Sequence, residues 1–322
     1  MKISITDKGS GIAHELAKAI GARVEGRFIY FPENKGGGYI TGFSWGKVFR
    51  VMIRNYYLHE DVYIERTNEL AEGQEDVVFL LSGIFSSPLQ SGKQLSAEQP
   101  CVLICKHAVS SIMAMPSNTS FGSITIAVSR QYLRLLFSNT GHPIIENIMD
   151  SRDHFVYEAG ISAEMIRTAD EMLHLPIPET LESHYYKLKC EELLCHTFSL
   201  LMQRDALPAS GMHIDDIKAI YAIKHHLQTH LSEAPNISAL AKGANMSEPK
   251  LRKLFKQTFG KGVFEYFQSA RMRAAAMLLK EKRLTVTEVG YQLGFTNLSH
   301  FSRVFEQHIG MKPKKYSANM KA

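Results

Sequence analysis

Cysteine is scarce in this 322-residue chain: four residues, Cys101, Cys105, Cys190 and Cys195, with no pair at CxxC spacing. That usage excludes a disulfide-stapled secreted scaffold and a zinc ribbon, and it predicts free thiols in a reducing compartment. Long apolar runs are missing too. No uncharged apolar stretch reaches the roughly 18 residues that a membrane-spanning helix needs. The opening MKISITDKGS lacks the basic start and apolar centre of a secretory signal, so a cytoplasmic location is expected and no membrane partner. Histidine is sparse where strands are expected, His59 and His107 alone, with no HxH pair to point two imidazoles at one metal. No metal site and no cofactor are therefore expected. HExxH, P-loop and GxGxxG patterns are absent, and Gly36-Gly37-Gly38, with no Lys-Ser/Thr behind it, reads as a hairpin turn. Binding is the function class that remains, not catalysis.

Positive charge is present in excess at one end. Residues 211–322 hold 18 Lys and Arg against 8 Asp and Glu, a local charge of +10, which leaves −5 on residues 1–210 within the net +5. A basic domain of this size suits a phosphate backbone, where each Lys or Arg contact releases counterions.

The same end carries a repeated pattern. In VGYQLGFTNLSHFSRVFEQHIGMKP (Val289–Pro313), Thr285 and Glu288 just upstream have the capping-box spacing, and Val286, Val289 and Leu293 recur at helical period until Gly294. Thr296 or Asn297 can cap a second helix whose apolar stripe is Leu298, Phe301, Val304, Phe305 and Ile309. That is a helix-turn-helix. At an offset of 50, Leu251 meets Phe301, Lys253 meets Arg303, Phe255 meets Phe305, Gly260 meets Gly310 and Tyr266 meets Tyr316, so the unit is used twice. In the first copy Asn236 can cap one helix, Asn245 takes the left-handed stop, and Ser247 caps a helix in which Pro249 suits the first turn. Between the copies, FEYFQSARMRAAAMLLK (Phe264–Lys280) reads as a connecting helix about 25 Å long, near the roughly 34 Å of one DNA turn.

With the GF turn ahead of FSRVFEQHIGMKPKKY, and RMRAAAMLL following LRKLFKQTFG, residues 213–322 resemble the DNA-binding domain of the AraC/XylS family of bacterial transcription regulators. The resemblance implies that the second helix of each unit enters the major groove. Base reading would then fall to Pro249, Arg252 and Lys253 in the first unit and to Ser299 and Arg303 in the second. Lys250, Lys256, Asn297, His300 and Ser302 share those polar sides. Gly290 stands where the family usually has alanine, and Gly243 sits inside the first unit's supporting helix. A double-stranded DNA operator and RNA polymerase are the macromolecular partners the resemblance implies.

Ahead of this domain, residues 24–128 read as strand-rich. VFRVMIRNYY alternates Phe49, Val51 and Ile53 with Arg50, Met52 and Arg54, and short apolar runs are separated by turn signals, as in a β-sandwich or barrel. Two helices follow, Ile161–Leu173 and Leu181–Gln203, broken by Pro176 and Pro178. The organisation expected is α+β: a β-rich ligand-sensing domain over residues 1–138, a helical dimerisation region over 139–205, a linker over 206–212, and the all-α DNA-binding domain over 213–322. By resemblance the first of these is a cupin-like β-barrel and the helices pair two protomers as a homodimer.

A small-molecule effector would take the barrel mouth. The candidates are Tyr39, Phe43, Trp45, Arg50, Arg54 and Tyr56, and two arginines with aromatics would suit an anionic or aromatic compound. Trp45 as plain core, and Arg50 and Arg54 as a solvent face, are the alternatives. Two functions follow: a ligand-responsive, sequence-specific transcription regulator, or a constitutive DNA-binding protein whose front domain only dimerises. A small molecule that changes operator affinity separates them.

Overall fold

Alternation along VFRVMIRNYY builds the middle of a large sheet. The computed structural model describes residues 2–7, 13–68, 76–85, 96–97, 99–106, 111–138, 140–151, 153–204, 212–281 and 284–319. In chain order the strands are β1 (Lys2–Asp7), β2 (Arg23–Glu25), β3 (Phe28–Tyr30), β4 (Gly36–Trp45), β5 (Phe49–Leu58), β6 (Val62–Asn68), β7 (Asp76–Ser82), β8 (Ser96–Ala97), β9 (Cys101–Lys106), β10 (Ser111–Met115), β11 (Thr119–Ser129) and β12 (Val156–Ala159). The helices are α1 (Ala13–Ile20), α2 (Arg130–Phe137), α3 (Pro143–Asp150), α4 (Ala163–His174), α5 (Glu179–Met202), α6 (Ile214–Thr229), α7 (Ile237–Gly243), α8 (Glu248–Phe259), α9 (Val263–Glu281), α10 (Val286–Gln292), α11 (Leu298–Ile309) and α12 (Pro313–Asn319). Two compact units result, Met1–Gly211 and Met212–Ala322. Of the linker expected over 206–212, all but Met212 lies outside the described residues, as does His107.

In the first unit the hydrogen-bonded path runs β12-β9-β7-β11-β5-β4-β3-β2, with the short β8 on β11, while β1-β6-β10 forms a separate three-stranded sheet. Phe49, Val51 and Ile53 point to one face of the large sheet and join Val77, Phe79, Leu81, Ile124 and Ile126 in a core closed by Leu133 of α2, Ile145 and Ile148 of α3, Met165 of α4, and Leu193, Leu194 and Phe198 of α5. The opposite face supplies Ile40, Tyr56, Leu58 and Phe121, which pack with Ala17 and Ile20 of α1, Val62 of β6 and Met115 of β10.

This corrects the expected closed cupin-like barrel. Among the described residues the end strands β12 and β2 are not paired with each other, so the sheet is open. The physical reason is cover: helices bury one face and the small sheet with α1 buries the other, so the large sheet does not need to curl upon itself to remove its apolar residues from water. The helices expected from periodicity appear as α4 and α5, divided at Leu175–Pro178.

The second unit is all helical. Its latter half is organised around Met272, Ala275 and Leu279 of α9 against Val289, Leu293, Phe295, Phe301, Val304 and Phe305. Each fully buried phenylalanine here contributes roughly 1.5–3 kcal/mol relative to an exposed one.

Candidate nucleic-acid interface and ligand site

Both helix-turn-helix units are fixed by the local signals that the chain spells out. Asn236 Oδ1 accepts from the Ala239 amide at 3.1 Å to start α7, and Ser247 Oγ accepts from the Lys250 amide at 3.4 Å to start α8. In the second unit Thr285 and Glu288 form a complete capping box on α10, and Asn297 Oδ1 accepts from the His300 amide at 3.0 Å to start α11. The left-handed stops fall where expected, Asn245 at φ 53° and Gly294 at φ 77°. Each turn closes the same way, by Met246 N to Ala241 O and by Phe295 N to Gly290 O, both at 2.9 Å.

One difference separates the copies. The supporting helices α7 and α10, with their caps, are related by 49 residues, whereas α8 and α11 are related by 50. Thr296 is the extra residue, so the second turn is longer by one. Gly290, in place of the family's usual alanine, has a reason here: a Cβ on it would lie 2.7 Å from Leu298 Cδ2 and 3.3 Å from Phe301 Cδ1, so its absence lets α10 and α11 approach closely. Gly243 meets no such neighbour within 4 Å.

The polar side of α8 presents Pro249, Lys250, Arg252 and Lys253 to solvent, with Lys256 half-buried, and that of α11 presents Asn297, Ser299, His300 and Arg303, with Ser302 half-buried. Several are already engaged. Lys250 Nζ lies 2.8 Å from Asp216 Oδ1 on α6, Arg252 is 3.5 Å from Glu248 one turn back, and the Asn297 side chain is committed to its cap. Arg303 and Lys253 show no ion pair among the described residues. Phe255, Phe301 and Phe305 are wholly buried and Phe259 nearly so, on the opposite side of the same helices.

Arg271 was visible in the sequence only as the arginine leading RMRAAAMLL. Buried on α9, it donates from Nε to the Leu293 carbonyl at 3.1 Å, reaches the same oxygen with Nη2, and stacks with its guanidinium carbon 3.8 Å from the Phe295 ring centre. Burial lowers its pKa below the ordinary arginine value. The carbonyl it caps is one of those a helix end leaves unsatisfied, and the cation sits at the negative end of the α10 dipole. The connecting helix is thereby clasped to the second turn.

In the first unit the strand register sorts the six ligand candidates onto two faces. Tyr39 is opposite Asn55, Phe43 opposite Val51 and Trp45 opposite Phe49, whereas Arg54 is opposite Ile40, Arg50 opposite Ser44 and Tyr56 opposite Gly38. Tyr39, Phe43 and Trp45 therefore share the face covered by α5, where Phe43 lies 4.8 Å from the Tyr186 ring and Trp45 Nε1 donates to Ser183 Oγ at 3.0 Å. Arg50, Arg54 and Tyr56 share the other face; Tyr56 is wholly buried and Arg54 nearly so. Three residues missed in the sequence complete the first face: Arg27 in the β2–β3 turn, with Glu182 and Tyr186 of α5. Their separation of more than 150 residues left no local signal.

Gly42-Phe43-Ser44-Trp45-Gly46 has the GxSxG spacing of a nucleophile elbow. It runs out of an antiparallel strand and not into a helix, and Ser44 Oγ donates to Gly46 O at 3.0 Å, so the spacing carries no such chemistry. No group of three or more potential metal ligands occurs among the described residues, and no described helix is long and apolar enough to cross a membrane.

Residues 240–319 match the family described as a helix-turn-helix domain. Relatives include the probable transcription factor PqrA of Proteus vulgaris, 30% identical over 95 residues covering 29% of this chain and 78% of that protein. The arabinose operon regulatory protein of Salmonella typhimurium is 28% identical over 138 residues, 42% of this chain and 48% of that protein. This chain thus spans about half the length of that regulator. Among solved structures, the DNA-binding domain of AdpA in complex with a target DNA is 24% identical, covering 31% of this chain and 91% of that one at a TM-score of 0.30. ToxT from Vibrio cholerae O395 is 14% identical, covering 86% and 100% at a TM-score of 0.33.

Proposed function

Because the chain belongs to the AraC/XylS family of bacterial transcription regulators, we propose that it binds a specific duplex operator in the cytoplasm, with α8 and α11 reading adjacent major-groove segments. The observation that carries this reading is the pair of similarly capped helix-turn-helix units in a domain of charge +10, each exposing a basic side chain at the matched positions Lys253 and Arg303. Arg303, Arg252 and Lys253 contact base edges, Ser299, His300 and Pro249 shape the fit, and Lys250 and Lys256 face phosphate. RNA polymerase is the partner through which such binding would act on transcription.

A small molecule held by the first unit controls operator occupancy, and two chains pair through α5. Support for the pairing is a row of outward side chains seven residues apart: Leu181, Leu188 and Met202, at 56, 51 and 43% exposure, with exposed Cys195 between the last two. A seven-residue spacing sets these side chains in one row along the helix, where a partner helix can meet them once per heptad.

The test is operator selection from random duplexes, followed by footprinting of the whole chain and of residues 212–322. The second unit joins its two reading helices through 19-residue α9, about 28 Å at 1.5 Å per residue. The fragment is expected to protect one asymmetric site of roughly 20 base pairs as a monomer, and the whole chain two such sites. A fragment that binds only as a symmetric dimer would overturn the reading.

A further inference from the structure

The face shared by Tyr39, Phe43 and Trp45 holds a cation already. Arg27 follows Gly26 in the two-residue turn between β2 and β3, and its guanidinium carbon lies 4.8 Å from the Phe28 ring centre, 4.6 Å from Phe43 and 5.5 Å from Tyr186. Glu182 accepts from both terminal nitrogens, one at 3.2 Å. Burial opposes the charge on Arg27, yet Glu182 and Tyr186 together outweigh it and raise the pKa above the ordinary arginine value. Three ring faces and a carboxylate around a cation are the elements of an aromatic cage.

Arg27 fills this cage imperfectly. Its Nε is buried without a hydrogen-bond partner, and two buried acceptors stand on the same sheet face, also unpartnered: Thr41 Oγ1, on the strand between Tyr39 and Phe43, and Asn55 Oδ1, opposite Tyr39. A buried polar atom whose hydrogen bond is left unmade is destabilising. A donor-rich cation could satisfy acceptors that the tethered arginine does not.

We infer that this cage is the effector site, that it takes a small alkylguanidinium compound, and that the effector competes with Arg27. The inference rests on the ligand-control reading above and names its chemical class, a cation in place of the anion suggested by Arg50 and Arg54. Displacing Arg27 releases the β2–β3 hairpin from the first turns of α5, the helix whose outward row is assigned to pairing two chains. The signal therefore starts on that helix.

Trp45, the only tryptophan, reports on the cage, since its ring stacks 5.8 Å from Phe43 and its N–H reaches Ser183. Butylguanidinium chloride is titrated into the full-length protein against sodium chloride at equal ionic strength, with tetramethylammonium and butanoate in parallel. A saturable change in tryptophan emission is expected with butylguanidinium and none with butanoate; a weaker response to tetramethylammonium shows that N–H donors count. Arg27→Met keeps the apolar stem and removes the resident competitor, so apparent affinity should tighten about tenfold or more. In the Arg27→Met background, where no resident cation shares the carboxylate, adding Glu182→Gln should weaken binding by about tenfold. Absence of saturable binding in both wild type and Arg27→Met, or Arg27→Met binding unmoved by adding Glu182→Gln, overturns the site; Arg27→Gln takes the place of Arg27→Met throughout if that variant does not fold. Operator affinity is measured on the same samples. Cage-dependent binding that leaves operator affinity unchanged keeps the site and removes ligand control. An operator response to some other compound, with no binding at the cage, does the reverse.

Discussion

Replacing Gly294 by alanine tests how the second helix-turn-helix is held. Its φ of 77° is a conformation in which an L-residue is strained by about 1–2 kcal/mol. A second cost is specific to this turn. A Cβ at Gly294 would lie 1.8 Å from the carbonyl oxygen of Ser232 and 2.7 Å from its carbon. Carbon and carbonyl oxygen normally approach to roughly 3.3 Å, so one backbone segment or the other must move by more than an ångström. Displacements of this kind cost about 1–3 kcal/mol, and the two contributions together give about 2–5 kcal/mol. Gly310 supplies the control: its φ is 83°, but a Cβ there meets nothing within 4 Å, so Gly310→Ala should show the conformational cost alone. Urea unfolding of residues 212–322, or hydrogen exchange of α10 and α11 in the whole chain, reads the difference. Equal losses at the two glycines would refute the claim that the turn is seated against the segment after α6.

Arg271→Met should destabilise the second unit by about 2–4 kcal/mol, since it strips a buried carbonyl of its donors and removes a cation from the Phe295 face; an unchanged melting temperature would contradict the clasp. Arg303→Ala should cost about 1–3 kcal/mol of specific DNA binding and relax preference at one or two base pairs, with Arg252→Ala and Lys253→Ala doing the same for the first unit. Selectivity unaltered in all three variants would reject α8 and α11 as reading helices. Hydrogen bonds from the Thr285 backbone and hydroxyl, each 2.7 Å, hold the Glu288 carboxyl below its ordinary pKa of 4.5. A depressed acid stabilises the fold above its unfolded pKa and loses that contribution as pH falls through the folded value. Acid unfolding should therefore be less steep in Glu288→Gln below pH 4.5, and superimposable pH profiles would exclude the contribution.

The caps and stops of both helix-turn-helix units were legible because their signals are local. Asn236, Ser247, Thr285 and Asn297 cap through amides three residues ahead, and Asn245 and Gly294 are among the few residue types that take a left-handed stop readily. The extra Thr296 shows only when the stops Asn245 and Gly294, 49 residues apart, are set against the matched positions beyond the turn, which are 50 apart. Alternation along β5 gave two faces but could not say what covers each, and the register that places Tyr39, Phe43 and Trp45 together under α5 depends on strand pairing and helix packing remote in sequence. Sheet closure failed for the same reason. Whether β12 meets β2 is decided by the helices and the small sheet that cover the faces, not by any pattern within the strands.

The two units repeat one motif yet are held differently. In the second, Gly294 is seated against Ser232, Arg271 ties the turn to α9, and Arg303 stands with no ion pair among the described residues, so the proposed base contact would break none. In the first, Asn245 makes the stop, and two of the four exposed residues assigned to DNA are paired within the protein, Lys250 with Asp216 and Arg252 with Glu248. The Arg252–Glu248 surface pair is worth only about 0–1 kcal/mol, so DNA can displace it at little cost to binding. Lys250 carries the larger consequence, because Asp216 is buried on α6 and would lose its counter-charge when the lysine turned to a phosphate. Discrimination should accordingly be sharper in the half-site under α11 than in the half-site under α8, and single-base substitutions across a selected operator would show the two halves to be unequal.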